Sequence, residues 1–300
     1  MKKIFSLSIY ITTIVIYSCH SRSIPQKSLI NQESIDSRGN AMLLGKCTRK
    51  KIEEKPYGEW FNKNYMDYRV DSIVAGKLKG KLVGKNFMIF MGTWCGDSKR
   101  EVPRMFKLLD YCGIKQDRIQ LIMLNSYDSV YKQSPTHEER GLNIHRVPDL
   151  LVFEGKKEIG RIVESPVNSI EKDLSAILNE EKYEPNYQIV SFLIILFKEK
   201  SLEDIHTNLP STALSLKTLM SNIAELRSYG HVLMTANEFD KAAIAFKLNA
   251  LLYPDNPAVY DNLGEYYLKT GNKILAKENY QKSLQLQPEN ENAKKMLEQL

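Results

Sequence analysis

The folded part of this 300-residue chain lacks an excess of charge of either sign. Residues 54–181 contain 20 Lys and Arg against 19 Asp and Glu, and residues 182–300 contain 13 against 14. The net charge of +6 therefore comes from residues 1–53, which hold nine basic and three acidic residues. Since nucleic acids are bound through concentrated positive charge, we expect no nucleic-acid partner.

The chain also lacks an apolar run of about 20 residues, the length that an α-helix needs to cross a bilayer. Its N-terminus has the basic pair Lys2-Lys3, followed by a mostly apolar segment at residues 4–17. This pattern predicts a signal peptide over residues 1–18. The apolar run at residues 189–197 is again too short to span a membrane, so we expect a buried helix there.

The sequence Ile-Tyr-Ser-Cys at residues 16–19 resembles the lipobox of bacterial lipoproteins. The resemblance implies lipidation of Cys19 and a protein of the bacterial cell envelope, lipid-anchored and facing the periplasm or the exterior. The alternative is cleavage by ordinary signal peptidase near residues 18–23, which gives a soluble periplasmic protein. The polar and basic residues 19–53 predict a flexible tether.

A metal-ligand pattern is also missing. The histidines at 137, 145, 206 and 231 show no metal-like spacing among themselves or with the cysteines. We therefore expect no metal site and no cofactor. His145 precedes Pro148 by three residues, and we interpret it as a histidine of a surface loop rather than a neighbour of the candidate site.

The motif Trp94-Cys95-Gly96-Asp97-Ser98-Lys99 has a serine where a dithiol motif would have its second cysteine. The apolar run at residues 86–91 predicts a buried strand, and the spacing of apolar residues from Ser98 onward predicts a helix. Cys95 therefore falls at the N-terminus of a helix. Free N–H groups and the helix dipole favour thiolate over thiol at such a position.

Further elements follow in the same region. We predict strands at 119–124, 147–153 and 158–163, a short helix at 136–140 capped by Ser134, and an amphipathic helix at 169–178. With Trp94-Cys95-Gly96, Pro103 and Val147-Pro148, residues 54–181 resemble the thioredoxin family. The resemblance implies an α/β thioredoxin-like fold, with a cis peptide bond before Pro148 that faces the active-site sulfur.

The same resemblance implies roles for individual residues. Cys95 would be the nucleophile, and the backbone beside Pro148 would be a docking edge for substrate. Ser98 replaces the resolving cysteine, and we expect it to donate a hydrogen bond to the thiolate. Asp97 adds a negative charge that opposes thiolate formation. The neighbours of the nucleophile and of the docking edge are Trp94, Gly96, Asp97 and Val147.

Other cysteines could supply the missing sulfur. Cys112 lies 17 residues beyond Cys95 on the same predicted helix, which at about 1.5 Å per residue separates them by roughly 25 Å. Because a disulfide needs Cα atoms within about 7 Å, we interpret Cys112 as a small apolar residue at the helix end. Cys47, in the predicted tether, could reach Cys95.

The C-terminal region repeats itself with a shift of 34 residues, which brings glycine onto glycine, alanine onto alanine, aromatic onto aromatic and proline onto proline. This spacing resembles the tetratricopeptide repeat. We predict a helical domain over 182–300, with repeats at 223–256 and 257–290 and a capping helix at 291–300. Helices near 201–208 and 213–223 would form a degenerate first unit. The paired positions are Gly230 and Gly264, Ala242 and Ala276, Phe246 and Tyr280, and Pro254 and Pro288.

The sequence thus favours an exported protein that forms mixed disulfides through a single cysteine. The chemistry would be thiol–disulfide exchange, isomerisation or trapping, and enzymatic turnover stays open. Its partners would be thiol- or disulfide-containing envelope proteins, the membrane through a lipid anchor, and a peptide or protein ligand of the repeats. The alternative is a non-catalytic binding or assembly lipoprotein that uses the fold as a scaffold.

Overall fold

A mixed β-sheet forms in the N-terminal half of the chain in a computed structural model that describes residues 30–36, 38–220 and 222–300. The predicted signal peptide and Cys19 lie outside these residues. The sheet has six strands in the order β1-β2-β4-β3-β5-β6, with β3 and β4 parallel and the other neighbours antiparallel. The strands are β1 (Gln32–Ile35), β2 (Ala41–Cys47), β3 (Lys85–Met91), β4 (Ile119–Met123), β5 (Asp149–Glu154) and β6 (Lys157–Val163).

The sheet is buried on both faces around β3, which explains why that strand is a continuous apolar run. Ile89 packs in the larger core with the helices, and Phe90 packs on the opposite face with Ile122 and Val147. The helices of this half are α1 (Arg49–Glu53), α2 (Gly58–Asp67), α3 (Ser72–Leu82), α4 (Gly96–Tyr111) and α5 (Ile170–Leu178).

The flexible tether predicted up to residue 53 is wrong from residue 32 onward. Residues 32–47 form a hairpin whose second strand pairs with β4, and Met42 and Leu43 are fully buried. The hairpin covers an edge of the sheet that would otherwise expose unpaired backbone groups. The polar residues of the hairpin lie mainly in β1, which has no strand on its outer side within the described sheet.

The short helix predicted at residues 136–140 is also wrong, because these residues form a series of turns. His137 has a φ of 55°, in the left-handed region that an α-helix cannot contain. Ser134, the predicted cap, donates to Glu138 and Glu139 through its hydroxyl group. Side-chain hydrogen bonds of this kind favour turns over helix.

The C-terminal half is helical. Its helices are α6 (Gln188–Glu199), α7 (Leu202–Thr207), α8 (Leu209–Leu216), α9 (Ala224–Thr235), α10 (Phe239–Leu252), α11 (Pro257–Lys269), α12 (Lys273–Leu286) and α13 (Glu291–Glu298). The helix predicted at 213–223 is displaced, since α8 ends at Leu216 and a 3₁₀ turn follows. Within the described ranges, no helix is long and apolar enough to cross a membrane.

Two helix pairs, α9 with α10 and α11 with α12, pack through a glycine and an aromatic ring. A Cβ atom on Gly230 would lie 2.4 Å from the ring of Phe246, and one on Gly264 would lie 2.7 Å from the ring of Tyr280. Real Cβ atoms do not approach other atoms this closely. The 34-residue spacing therefore has a steric cause: each glycine admits the ring of the partner helix.

Candidate functional site

Cys95 is the N-cap residue of α4, directly after the turn that follows β3. Its φ and ψ of −92° and 126° are extended, and its backbone carbonyl accepts the first helical bond from the Lys99 N–H. The side chain is half-buried. The sulfur therefore lies at the positive end of a 16-residue helix, in a residue that is neither buried nor fully exposed.

The chain segment at residues 145–148 approaches this sulfur from β5. The Cys95 thiol donates to the Val147 carbonyl oxygen over 3.3 Å, and the Val147–Pro148 peptide bond is cis. Trp94 packs in the same small core as Val147, and its indole N–H donates to the Leu124 carbonyl over 2.8 Å. The predicted residues Trp94, Cys95, Val147 and Pro148 thus come together at one end of the sheet.

Ser98 is fully buried one turn into the helix. Its Oγ accepts a hydrogen bond of 3.3 Å from the Gly92 N–H, so this hydroxyl fastens the end of β3 to α4. A Cβ atom on Gly92 would lie 2.3 Å from the Trp94 ring, so glycine is needed to admit that ring. Gly96 is different, because a Cβ atom there meets nothing within 4 Å.

Asp97 does not present an uncompensated charge to the thiol. Its carboxylate lies 2.8 Å from the guanidinium of Arg100. Arg100 also pairs with Glu101 over 2.6 Å, and Glu101 is 3% exposed. The negative charge that was expected to oppose thiolate formation is therefore shared with a cation three residues along the helix.

The other two described cysteines are buried. Cys47 lies in β2 opposite Leu121, and its burial raises the pKa of the thiol to about 12. Burial likewise raises the pKa of Cys112, whose thiol donates to the Ala75 carbonyl over 3.7 Å. The interpretation of Cys112 as an apolar residue is consistent with this packing. Cys47 lies in a strand of the sheet and not in a flexible segment, which corrects the idea that it moves freely toward Cys95.

Sequence reasoning missed a contact between the two halves of the chain beside this site. The His145 carbonyl accepts hydrogen bonds from the Lys132 ammonium group and from the Ser228 hydroxyl, the latter over 2.6 Å. Lys132 also donates to Ser228 Oγ over 2.9 Å. Ser228 belongs to α9, the first helix of the predicted 223–256 repeat, so the helical half holds the segment that reaches Cys95.

His145 is buried, which corrects its interpretation as a surface-loop histidine. Its ring packs edge-on against Tyr187 and Tyr229, with centroid distances of 5.6 and 5.8 Å. Burial lowers the pKa of His145 to about 3, so the ring is neutral near pH 7. Its Nε2 is buried without a partner among the described residues.

Arg146 and Glu164 form an ion pair next to this contact. The Arg146 guanidinium lies 3.5 Å from the Glu164 carboxylate and 4.7 Å above the ring of Tyr187, whose hydroxyl donates to Glu164. The Glu164 N–H donates to the Pro148 carbonyl over 2.7 Å. Burial raises the pKa of Glu164, and the positive charge of Arg146 opposes that shift.

The backbone around the contact is conformationally constrained. Lys132, Asn143, Glu164 and Tyr187 have φ values of 54°, 56°, 62° and 72°, in the left-handed region that non-glycine residues seldom adopt. Each such residue carries a conformational cost that the surrounding contacts must offset. No composition or periodicity signal in the sequence indicates this cluster, because its members come from four separate segments.

Asp149, directly after Pro148, is a further buried charge that the sequence did not reveal. It is fully buried, and its Oδ2 lies 3.1 Å from an Arg161 nitrogen. Burial raises the pKa of Asp149 to about 7, although the charge of Arg161 acts in the opposite direction. Its Oδ1 has no partner among the described residues.

Comparison with known proteins identifies one segment of the chain. The protein-family model of the tetratricopeptide repeat matches residues 257–290. This match confirms the second predicted repeat with the same boundaries, and it is consistent with a helical C-terminal region that binds protein partners. No curated protein matches the chain. In the described ranges, no group of three or more His, Cys, Asp or Glu side chains is placed to hold a metal ion.

Proposed function

We propose that the protein forms mixed disulfides with partner proteins through Cys95. One observation carries the proposal: of the three described cysteines, Cys95 alone is accessible, at a helix N-terminus with its sulfur 3.3 Å from the Val147 carbonyl. A sulfur atom of a partner protein can approach this half-buried thiol, whereas the thiols of Cys47 and Cys112 are buried. The thioredoxin-like fold inferred from the motif is part of the same proposal.

The chemistry is a single exchange. The Cys95 thiolate attacks one sulfur of a partner disulfide, a new S–S bond forms, and the second partner sulfur leaves with the electron pair and takes up a proton. Ser98 cannot complete a second exchange, since it has no sulfur. Its buried hydroxyl is engaged with Gly92, so its role in the proposal is to position the turn. The mixed disulfide is released by a second thiol on the partner or by an external thiol, which favours isomerisation or trapping over net reduction.

The helical half supplies the partner-binding part of the proposal. Tetratricopeptide repeats bind peptides and proteins along stacked helices, and the matched repeat at residues 257–290 adjoins α9, which contacts the thiol segment. A partner held by the repeats would therefore remain close to Cys95. We place the protein in the bacterial cell envelope, where disulfides persist, with Cys19 as the lipid anchor and the soluble periplasmic form as the alternative.

The test is recovery of mixed disulfides from cells under acid quench, followed by mass spectrometry of the Cys95 peptide. We expect the wild-type protein and the Cys112→Ala variant to carry partners in disulfide linkage, and the Cys95→Ala variant to carry none. The full chain is required, because Ser228 and Tyr229 contact the thiol segment. Wild-type protein without any adduct on Cys95 would rule the proposal out.

A second function is favoured by the repeat match itself. If Cys95→Ala leaves the set of captured partners unchanged, the chain acts as a binding or assembly lipoprotein in which the sheet is a scaffold. Variants of the repeats then distinguish binding from disulfide exchange. Loss of all partners on substitution in α11 or α12, with no effect of Cys95→Ala, would establish binding without exchange.

A further inference from the structure

A groove of about 330 Å³ lies next to the motif that contains Cys95. Three segments line it: the turn between β1 and β2, the start of α2, and the motif itself from Thr93 to Lys99. The β1–β2 hairpin, which the sequence did not reveal, therefore forms one wall of a cavity beside the candidate site.

This hairpin wall is attached to the motif by hydrogen bonds. The Leu43 N–H of β2 donates to the buried Thr93 hydroxyl over 3.2 Å. In the turn, the buried Asp36 carboxylate accepts hydrogen bonds of 2.8 and 2.9 Å from the N–H groups of Arg38 and Asn40. These bonds fix the backbone from which the Arg38 side chain extends. The wall is therefore preformed, which lowers the entropic cost of binding a ligand there.

Aromatic side chains line the groove as well. Trp60 and Trp94 are the two tryptophans of the chain, and both line this groove together with Tyr57. Both tryptophans are half-buried. The Trp94 indole N–H donates to the Leu124 carbonyl over 2.8 Å, and Trp60 packs against the larger core, so both rings are held in place. Anchored tryptophans of this kind often carry the binding energy at protein interfaces.

Two cations in the lining have no anionic partner. Arg38 and Lys99 make no ion pair and no side-chain hydrogen bond among the described residues. Of the described residues that line the groove, Asp36 is the single acid, and its carboxylate is already engaged by the N–H groups of the turn. The lining thus has an excess of positive charge and is complementary to a carboxylate.

The groove is contiguous with the residue that carries the thiol. Trp94 directly precedes Cys95 in the chain, and the Lys99 N–H donates to the Cys95 carbonyl over 3.1 Å. Lys99 is one helical turn beyond Cys95, and residues four positions apart lie on the same side of a helix. A ligand in the groove would therefore be a neighbour of the candidate site.

We propose that this groove binds the segment of a partner protein that flanks its reacting cysteine, and that it prefers segments with acidic side chains. The two tryptophans contact the segment, while Arg38 and Lys99 pair with its carboxylates. A basic segment would bring like charges together and is disfavoured. The inference rests on the proposed function, since it names the class of substrate for the same thiol.

Tryptophan fluorescence tests the groove without any disulfide chemistry, because both tryptophans line it. The probes are two synthetic peptides of equal length that carry serine in place of cysteine, one with Asp and the other with Asn at the flanking positions. We expect the Asp peptide to bind the full chain about tenfold more tightly than the Asn peptide at low salt, as two exposed ion pairs would give. This preference should largely disappear at about 0.5 M salt, where such pairs are screened.

Variants assign the preference to the two cations. Arg38→Met and Lys99→Met should each reduce the preference for the Asp peptide to about threefold, and the double variant should abolish it. Lys156→Met, on the exposed β5–β6 turn, removes a cation away from the groove and should keep the wild-type preference. A merely structural role of Arg38 or Lys99 would weaken both peptides equally and leave the preference unchanged, which overturns the proposal.

The outcomes separate this proposal from disulfide exchange. Equal affinity for the two peptides, or no change of fluorescence with the Asp peptide, rejects the acidic-segment site even if adducts form on Cys95 in cells. Preferential binding of the Asp peptide without any adduct on Cys95 would instead reject the exchange reaction and retain the groove as a binding site for acidic segments.

Discussion

The hydroxyl group of Tyr229 donates a hydrogen bond of 3.0 Å to Oδ1 of Asn143, residues that are 86 positions apart in the sequence. Tyr229 is 1% exposed and belongs to α9, whereas Asn143 precedes the segment that reaches Cys95. With the Ser228–His145 bond, this contact fastens the helical half to the sheet half. The two halves therefore share a polar and aromatic contact.

Substitution of Tyr229 by phenylalanine should loosen this contact. The ring packing on His145 is retained, but the half-buried Asn143 side chain loses its donor, so we expect a loss of about 1 kcal/mol in the free energy of unfolding. Urea denaturation measures it. Tyr260→Phe is the control, because the Tyr260 hydroxyl bonds to the Pro254 carbonyl at the surface. Equal losses in the two variants would contradict a special role of the Tyr229 contact.

A second prediction concerns the glycines of the repeats. Gly264→Ala should destabilise the protein by about 1–3 kcal/mol, because the new methyl group would overlap the Tyr280 ring of α12. Gly80→Ala in α3 should instead stabilise it by about 0.5–1 kcal/mol, since a Cβ atom there meets nothing within 4 Å. Thermal unfolding of both variants measures whether each substitution lowers or raises the stability of the protein. A stabilising Gly264→Ala would show that the helices separate more easily than their packing indicates.

A third prediction follows from the buried His145. Its pKa is about 3 in the folded protein against 6.5 for the free side chain, so between these values the unfolded chain binds the extra proton. Stability contributed by the neutral ring is therefore lost as the pH falls from about 6.5 towards 3. His145→Phe keeps an aromatic ring between Tyr187 and Tyr229 and removes the titration.

We accordingly expect the loss of unfolding free energy between pH 7 and pH 4.5 to be smaller in His145→Phe than in the wild type, by up to about 2 kcal/mol. Urea denaturation at the two pH values is the measurement. His206→Gln, at an exposed histidine of α7, should follow the wild type. Parallel pH curves for His145→Phe and the wild type would show that the ring does not titrate as its burial implies.

Local sequence patterns predicted some of the secondary-structure elements and failed to predict others. Strand β3 and helix α4 were predicted because apolar periodicity encodes them directly, and the repeat at 257–290 because a glycine and a ring recur 34 residues apart. The hairpin of β1 and β2 was missed, because the apolar run of β2 is only four residues long and is surrounded by polar sequence, and because the hairpin is completed by pairing with the distant β4. Distant pairing of this kind overrides local propensity.

The candidate site also contains residues that the sequence predicted and residues that it did not. The motif places Cys95, Trp94 and Ser98 together, because they are consecutive or one turn apart. Lys132 and Ser228 meet only through the packing of α9 on a loop, and in the sequence each is an ordinary polar residue. A short-range pattern therefore predicted the thiol and its turn, but no such pattern could predict the charges that surround it.

The last prediction concerns the ion pair of Asp149 and Arg161. Arg161→Met should destabilise the protein, because it leaves a fully buried carboxyl group without its cation. The pKa of Asp149 is raised to about 7 in the folded protein from 3.8, so at pH 5 the folded form holds a proton and needs the cation less. Since the folded state binds the extra proton between about pH 4 and 7, the stability from this group falls as the pH rises through that range.

The cost of Arg161→Met should therefore be greater at pH 8 than at pH 5, and at pH 8 we expect about 3–5 kcal/mol, the usual cost of removing one partner of a buried pair. Asp149→Asn combined with Arg161→Met should recover part of the loss at pH 8, because no buried charge remains. Urea denaturation of the single and double variants at both pH values tests this. A cost that is equal at pH 5 and pH 8 would mean that Asp149 is ionised throughout, and that Arg161 outweighs the effect of burial on this carboxyl group.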